Sequence, residues 1–96
     1  MNYHLPDRTE REIVNLAKKN GIKKVILFGS RAKGTNTERS DIDLAVSGGE
    51  FASFYWDIKE KLHILLMCDI VDMDSGISEE LNFEINRDGV TIYEEA

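Results

Sequence analysis

The sequence predicts a fold of the α/β (α+β) class, in which helices pack on one small β-sheet. Helical and strand patterns alternate along the chain, an order that is typical of such a sheet. The 96 residues, of which 42% are hydrophobic, have room for one hydrophobic core. No repeat, low-complexity tract or linker interrupts the sequence. We therefore predict a single domain over residues 1–96.

A helix and then a strand are predicted at the start of the chain. Residues 7–20 form the helix, because Asp7 and Glu10 have the spacing of a capping box and Gly21 follows the last turn. The run KKVILF at 23–28 is apolar and rich in β-branched residues, which predicts a buried strand. The apolar stripe of the helix consists of Ile13, Leu16 and Ala17.

The next segment contains two loops and a second strand. After a Gly-Ser turn, residues 31–33 are predicted to form a short helical turn, and residues 35–39 are a polar loop. Residues 41–46 alternate between carboxylate and apolar side chains before they become apolar, which predicts a strand. The pair Gly48-Gly49 then breaks the chain.

The second half is predicted to contain two helices and two strands. Residues 50–66 have the clearest helical period in the sequence, so this helix should lie on the sheet. A third strand is predicted at 68–72, a capped helix at 78–86 and a last strand at 90–93. The apolar stripe of the long helix consists of Phe51, Phe54, Tyr55, Ile58, Leu62, Leu65 and Leu66.

The net charge of −6 is unevenly distributed along the chain. Residues 1–48 carry nine Lys and Arg against six Asp and Glu, or +3, whereas residues 49–96 carry three against twelve, or −9. Nucleic-acid binding depends mainly on cations paired with phosphates, so an acidic half argues against that function. The acidic half fits a divalent metal ion or a basic protein partner better.

Several classes of protein are excluded by simple patterns. No apolar run approaches the roughly 20 residues that span a bilayer, so we expect no membrane segment. The first ten residues, MNYHLPDRTE, have neither the basic nor the apolar part of an export signal, and we expect a cytoplasmic protein. Cys68 is the single cysteine, so an internal disulfide is impossible and a zinc cluster is not expected.

The stretch FGSRAKGTNTERSDIDLAV at 28–46 carries the chemistry. Gly29 allows a sharp exit from the first strand, and N–H groups after such a turn can cradle phosphate oxygens. Asp41 and Asp43 should point to the same face of the second strand, where a Mg²⁺ ion would relieve their repulsion. A Walker A loop is excluded, because Thr35-Asn36 stands where that loop needs Lys and Ser or Thr.

These residues resemble a known signature. The string GSRAKG at 29–34, followed by SDIDL at 40–44, is similar to the motif of the DNA polymerase β-like nucleotidyltransferase superfamily, in particular its minimal nucleotidyltransferase (MNT) branch. The resemblance implies a palm fold with a single small mixed sheet, ATP as the substrate and two Mg²⁺ ions. It also implies a nucleotide-binding set and a catalytic, metal-binding set: Gly29, Ser30, Arg31, Gly34 and Ser40 for the first, and Asp41, Asp43 and Asp69 for the second.

The third carboxylate is assigned from the strand CDIVD at 68–72. Asp69 shares a face with Val71, whereas Asp72 points to the other face and is the alternative assignment. The resemblance places an aspartate at the start of an apolar strand, which favours Asp69. Among the cations of the motif, Arg31 or Lys33 could steady the departing pyrophosphate, the alternative for either being a solvated surface charge.

The resemblance implies a function and a partner. Small MNT proteins are frequently paired with HEPN-domain proteins, and some are antitoxins of the type VII kind that add AMP to a tyrosine of the HEPN toxin. We therefore expect a Mg²⁺-dependent enzyme that transfers AMP to a hydroxyl, within a homodimer or hetero-oligomer. Two alternatives stay open: a binding module that neutralises a partner by contact, and a small-molecule nucleotidyltransferase subunit that needs a partner chain. Trp56 lies off the apolar stripe of its helix and is a candidate for partner or dimer contact, the alternative being partial burial at the helix edge.

Overall fold

The computed structural model describes residues 3–37, 39–62 and 67–95. Helices and strands alternate as predicted, with one additional short 3₁₀ turn at Met73–Ser75. The third strand has the predicted bounds, and the other boundaries outside the long helix agree with prediction to within two residues. The elements in chain order are α1 (Asp7–Lys19), β1 (Lys24–Phe28), α2 (Ser30–Lys33), β2 (Ile42–Ser47), α3 (Phe51–Lys61), β3 (Cys68–Asp72), α4 (Glu79–Asp88) and β4 (Val90–Glu94).

The four strands form one mixed sheet in the order β3-β2-β1-β4. Strand β1 runs antiparallel to both of its neighbours, β2 and β4, while β2 and β3 are parallel. In this register Phe28 is opposite Asp43, and Asp43 is opposite Asp69. The end of β1 therefore lies beside the starts of β2 and β3.

Helices cover both faces of the sheet. Helices α1 and α3 pack on one face, in a core that contains Ile13, Ala17, Val25, Leu27, Leu44, Phe54 and Ile58. Helix α4 packs on the other face, where Ile85 contacts the cluster of Phe28 and Ala45. Because Asp43 is two residues before Ala45 on β2, it points to the α4 face, and its partner Asp69 does the same.

The predicted capping box of α1 is wrong. Pro6, rather than Asp7, occupies the cap position, and it provides no side-chain cap. The Glu10 carboxylate instead accepts a hydrogen bond from the Tyr3 hydroxyl at 2.9 Å. Proline is well suited to the start of a helix because its φ angle is already close to the helical value. Glu10 thus ties the preceding segment to the helix.

Helix α3 is shorter than predicted. It ends at Lys61, and Leu62 adopts an extended conformation with φ −83° and ψ 101°. This change of direction buries the Leu62 side chain in the core instead of continuing the helical stripe. The last predicted positions of that stripe, Leu65 and Leu66, lie outside the described residues. Among the residues described, no helix is long and apolar enough to span a membrane.

Two glycines bring the end of α1 against the loop after β2. Gly49 has φ 70°, and a Cβ there would overlap the backbone of Gly21 and Ile22. The Glu50 N–H also donates to the Asn20 carbonyl at 3.0 Å. This close backbone approach connects the loop that precedes α3 to the end of α1.

We predict that Gly49→Ala destabilises the fold far more than Gly76→Ala. Gly76 also has a positive φ, of 86°, but a Cβ there would meet nothing within 4 Å. Gly76→Ala, the control, should therefore lower the free energy of unfolding only by the backbone strain of a positive φ, about 1–2 kcal/mol. Gly49→Ala should lose about 1–3 kcal/mol more, because its Cβ overlaps neighbouring backbone. Urea unfolding followed by far-UV circular dichroism measures both; equal losses would show that the contact with Gly21 is unimportant.

Candidate active site

Three aspartates lie at one end of the sheet. Asp43 is partly buried on β2, in register with Phe28 on one side and Asp69 on the other. Asp69 is exposed on the edge strand β3, and Asp41 is exposed directly before β2. The structure thus brings the three predicted carboxylates together where β1 ends and β2 and β3 begin.

The turn after β1 is built against the Asp43 carboxylate. Gly29 has φ 75° and ψ −159°, and a Cβ at this position would overlap the Asp43 carboxylate. Glycine is therefore required both for the backbone conformation and for the close approach. This contact places the Gly-Ser turn next to the aspartates, as a joint phosphate and metal site needs.

The remainder of the motif forms a compact loop. Gly34 ends α2 in the left-handed conformation, with φ 78° and ψ 16°. The Thr35 N–H donates to the Ser30 carbonyl at 3.0 Å, which folds the loop back over α2. The Ser40 Oγ accepts from the Thr37 N–H at 2.9 Å, so this hydroxyl shapes the loop just before Asp41.

Arg31 is not a solvated surface charge. The residue is only 4% exposed. Its guanidinium donates to two backbone carbonyls, from Nε to that of Ser40 at 3.0 Å and from Nη1 to that of His4 at 3.1 Å. Lys33, in contrast, is exposed, and its Nζ lies 3.9 Å from a carboxylate oxygen of Asp88. Of the two cations in the motif, Lys33 is the one that the solvent reaches.

The surroundings of Asp43 disfavour the ionised form of its carboxyl group. Burial, followed by the charges of Asp69, Asp41 and Glu84, raises the pKa of the Asp43 carboxyl to about 6. Sequence reasoning missed Glu84, which α4 brings to the site because the next residue, Ile85, packs against the sheet near Asp43. No local pattern marks Glu84, since its placement depends on which face of the sheet α4 covers.

Asp72 lies apart from this cluster. Its register partner on β2 is Val46, so it points to the face opposite that of Asp43. Its Oδ1 accepts from the Asp74 N–H at 3.0 Å and caps the short 3₁₀ turn. Of the two candidates on β3, Asp69 is therefore the one that the structure places beside Asp43.

The donor set suits a hard divalent cation. Among the described side chains, no three His, Cys, Asp or Glu groups already form a metal-binding cage. Mg²⁺ does not need one, because it is usually held by one or two carboxylates together with substrate phosphates and water. Burial and, after it, the repulsion of neighbouring carboxylates raise the pKa of Asp43, and a bound cation would relieve that repulsion, so the residues fit such an ion.

Comparison with known proteins identifies the class. The family model described as Polymerase beta, Nucleotidyltransferase matches residues 11–96. The match covers most of the chain, so this chain belongs to that family and is a nucleotidyltransferase. A protein of Methanocaldococcus jannaschii, described as a candidate protein adenylyltransferase, is 32% identical over 87 residues, which cover 84% of this chain and 87% of that protein.

Solved structures confirm the fold. A toxin–antitoxin structure with AMP-PNP has a TM-score of 0.73 at 27% identity, with 90% of this chain and 73% of that chain covered. An MntA–HepT toxin–antitoxin structure with two Asp-to-Glu substitutions has a TM-score of 0.71 at 26% identity, with the same 90% and 73% covered. The mixed sheet with its helices is therefore the polymerase β-like nucleotidyltransferase fold.

We predict that Asp43→Asn stabilises the metal-free protein at pH 7.5 and flattens its pH dependence. Between the ordinary value of 3.8 and about 6, folded Asp43 keeps a proton that the unfolded chain has released. The free energy of unfolding should therefore fall as the pH rises through this window and stay low above it. The substitution should recover about 1–2 kcal/mol, less than the full pKa shift implies, because water screens a partly exposed carboxylate.

The measurement is urea unfolding at a series of pH values in chelator-treated buffer. Asp69→Asn serves as the graded comparison, because Asp69 is the neighbouring charge that raises the pKa of Asp43 most, and its removal should flatten the profile only in part. An Asp43→Asn profile with the wild-type slope between pH 4 and 6 would contradict the assignment of this titration to Asp43.

Proposed function

We propose that this nucleotidyltransferase transfers AMP from ATP to a hydroxyl of a partner protein, specifically a tyrosine of a HEPN-domain toxin, and so acts as an antitoxin. The observation that carries the proposal is the register that sets Asp43 between the Gly29 turn and Asp69. This arrangement combines a phosphate-binding turn with a carboxylate cluster that favours divalent cations.

The chain's residues take distinct roles in this reaction. The turn at Gly29 and Ser30 binds the triphosphate and directs its α-phosphorus towards the aspartates. Asp41, Asp43 and Asp69 would hold Mg²⁺, as one or two ions, which would neutralise phosphate charge and favour the ionised hydroxyl.

The bond changes are those of a simple phosphoryl substitution. The acceptor hydroxyl oxygen forms a bond to the α-phosphorus, and the bond from that phosphorus to the bridging oxygen breaks, so that pyrophosphate leaves. Asp69 accepts the hydroxyl proton, because it is exposed on the edge strand and is the register partner of Asp43. Lys33, an exposed cation of the motif, takes the role of steadying the leaving pyrophosphate.

Two observations support a protein acceptor. The relative from Methanocaldococcus jannaschii is described as a protein adenylyltransferase candidate, and the compared structures are toxin–antitoxin complexes, one with AMP-PNP. The carboxylates Asp41 and Asp69 are exposed, so a side chain from another molecule can approach them. Met67, 62% exposed and two residues before Asp69, adds apolar contact area at that approach.

The decisive experiment is transfer of label from [α-³²P]ATP to a co-purified partner. We expect wild type and Asp72→Asn to label the partner on tyrosine, while Asp43→Asn and Asp69→Asn lose at least about 100-fold in rate. Asp72→Asn is the matched control, because it makes the same substitution on the same strand but on the opposite face. Chelation of divalent ions should abolish labelling in every variant.

Two further arms separate this reaction from others. Label from [γ-³²P]ATP should not transfer, because the γ-phosphate leaves within pyrophosphate. If the wild-type chain binds and neutralises its partner with no α-label transferred from any nucleotide, it acts by contact alone and the proposal is wrong. Equal losses in Asp69→Asn and Asp72→Asn would contradict the role given to Asp69.

A further inference from the structure

Arg31 makes the hydrogen bonds that hold the loop before Asp41 in place. Its Nε donates to the Ser40 carbonyl at 3.0 Å, nine residues along the chain. That carbonyl belongs to the peptide bond that joins Ser40 to Asp41, so Arg31 fixes the backbone on one side of Asp41. On the other side, the Ile42 N–H donates to the Met67 carbonyl at 2.9 Å. Asp41 is held between these two backbone anchors.

Arg31 itself is held by the segment before α1. The His4 N–H donates to the Arg31 carbonyl at 2.9 Å, and the Arg31 Nη1 donates back to the His4 carbonyl at 3.1 Å. The His4 Nδ1 also lies 3.0 Å from the Asn36 Oδ1, in the middle of the same loop. Leu5, the next residue, is buried in the main core and anchors the segment.

We infer that Arg31 is a positioning residue that sets the Asp41 carboxylate by holding the Ser40 carbonyl, with His4 as its support. The guanidinium of Arg31 can serve two backbone carbonyls at fixed angles, whereas a lysine presents only a point charge. Because Arg31 is only 4% exposed, its donors point into the protein rather than towards the solvent, from which a nucleotide would bind. Its supporting residue, His4, lies outside residues 11–96, the part matched by the family model.

This inference rests on the proposed function only for the role of Asp41 as a metal ligand. Groups that hold a ligand-bearing segment typically change metal affinity or activity by about 10- to 100-fold when they are lost. A nucleotide-contacting arginine would behave differently, because its loss weakens ATP binding and raises KM. The two roles are therefore distinguishable by experiment.

The test compares Arg31→Lys with Lys33→Gln in the full chain. We expect Arg31→Lys to speed hydrogen exchange at residues 35–41 by about 10-fold and to weaken Mn²⁺ binding, followed by the electron paramagnetic resonance of the free ion, by about 10- to 100-fold. Its kcat should fall by a similar factor, while the KM for ATP stays near the wild-type value. Lys33→Gln, which removes an exposed cation of the same motif, should leave exchange at 35–41 unchanged.

A second variant covers the case in which Arg31→Lys does not fold. His4→Pro keeps the guanidinium but removes the N–H that donates to the Arg31 carbonyl, and we expect a smaller increase in exchange at the same residues. Unchanged exchange in both variants, or a raised KM for ATP with unchanged exchange, would overturn the inference. If the wild-type chain transfers no AMP, the proposed function fails, while exchange and Mn²⁺ binding still decide the role of Arg31.

Discussion

The contact between the Gly29 backbone and the Asp43 carboxylate is the constraint on which the site depends. Register sets Asp43 opposite Phe28, the last residue of β1, so the chain must leave that strand directly against a charged side chain. Only a residue without a Cβ can make this turn while the carboxylate stays in place. The turn and the aspartate are therefore aligned by the hydrogen-bonded backbone of two strands, which is more rigid than any alignment by side chains alone.

This alignment has an energetic cost that a ligand can recover. Burial and the charges of Asp69, Asp41 and Glu84 disfavour the ionised form of Asp43 in the metal-free protein. A cation that binds the folded state relieves this repulsion and thereby stabilises the fold by mass action. The core on the opposite face, in which Phe54 is fully buried, contributes hydrophobic stabilisation that offsets this electrostatic cost. Binding affinity and reduced stability thus have the same electrostatic origin.

The parts of the structure that were predictable depend on short-range patterns. The order of elements, the bounds of β3 and the turn at Gly29 follow from glycine positions and hydrophobic period, which neighbouring residues determine. The parts that were missed depend on residues distant in sequence. Leu62 leaves the helix to fill the core, and the guanidinium of Arg31 turns inward to donate to the carbonyls of His4 and Ser40. A single sequence does not reveal such distant contacts, and the resemblance of the motif gave Arg31 a nucleotide-binding role that its two carbonyl contacts do not favour.

The position of each aspartate in the sheet suggests a division of roles under the proposed function. Asp43 lies on the interior strand β2, between β1 and β3, where its position is fixed and its charge is poorly solvated. Asp69 lies on the edge strand β3 and is exposed, so an acceptor from another molecule can reach it without displacing any strand. Under the proposed function, the nucleotide and metal would bind on the rigid interior side and the acceptor would enter at the edge. Because this geometry would place the acceptor outside the domain, a partner surface that docks beside β3, and not the turn or the aspartates, would set the identity of the acceptor.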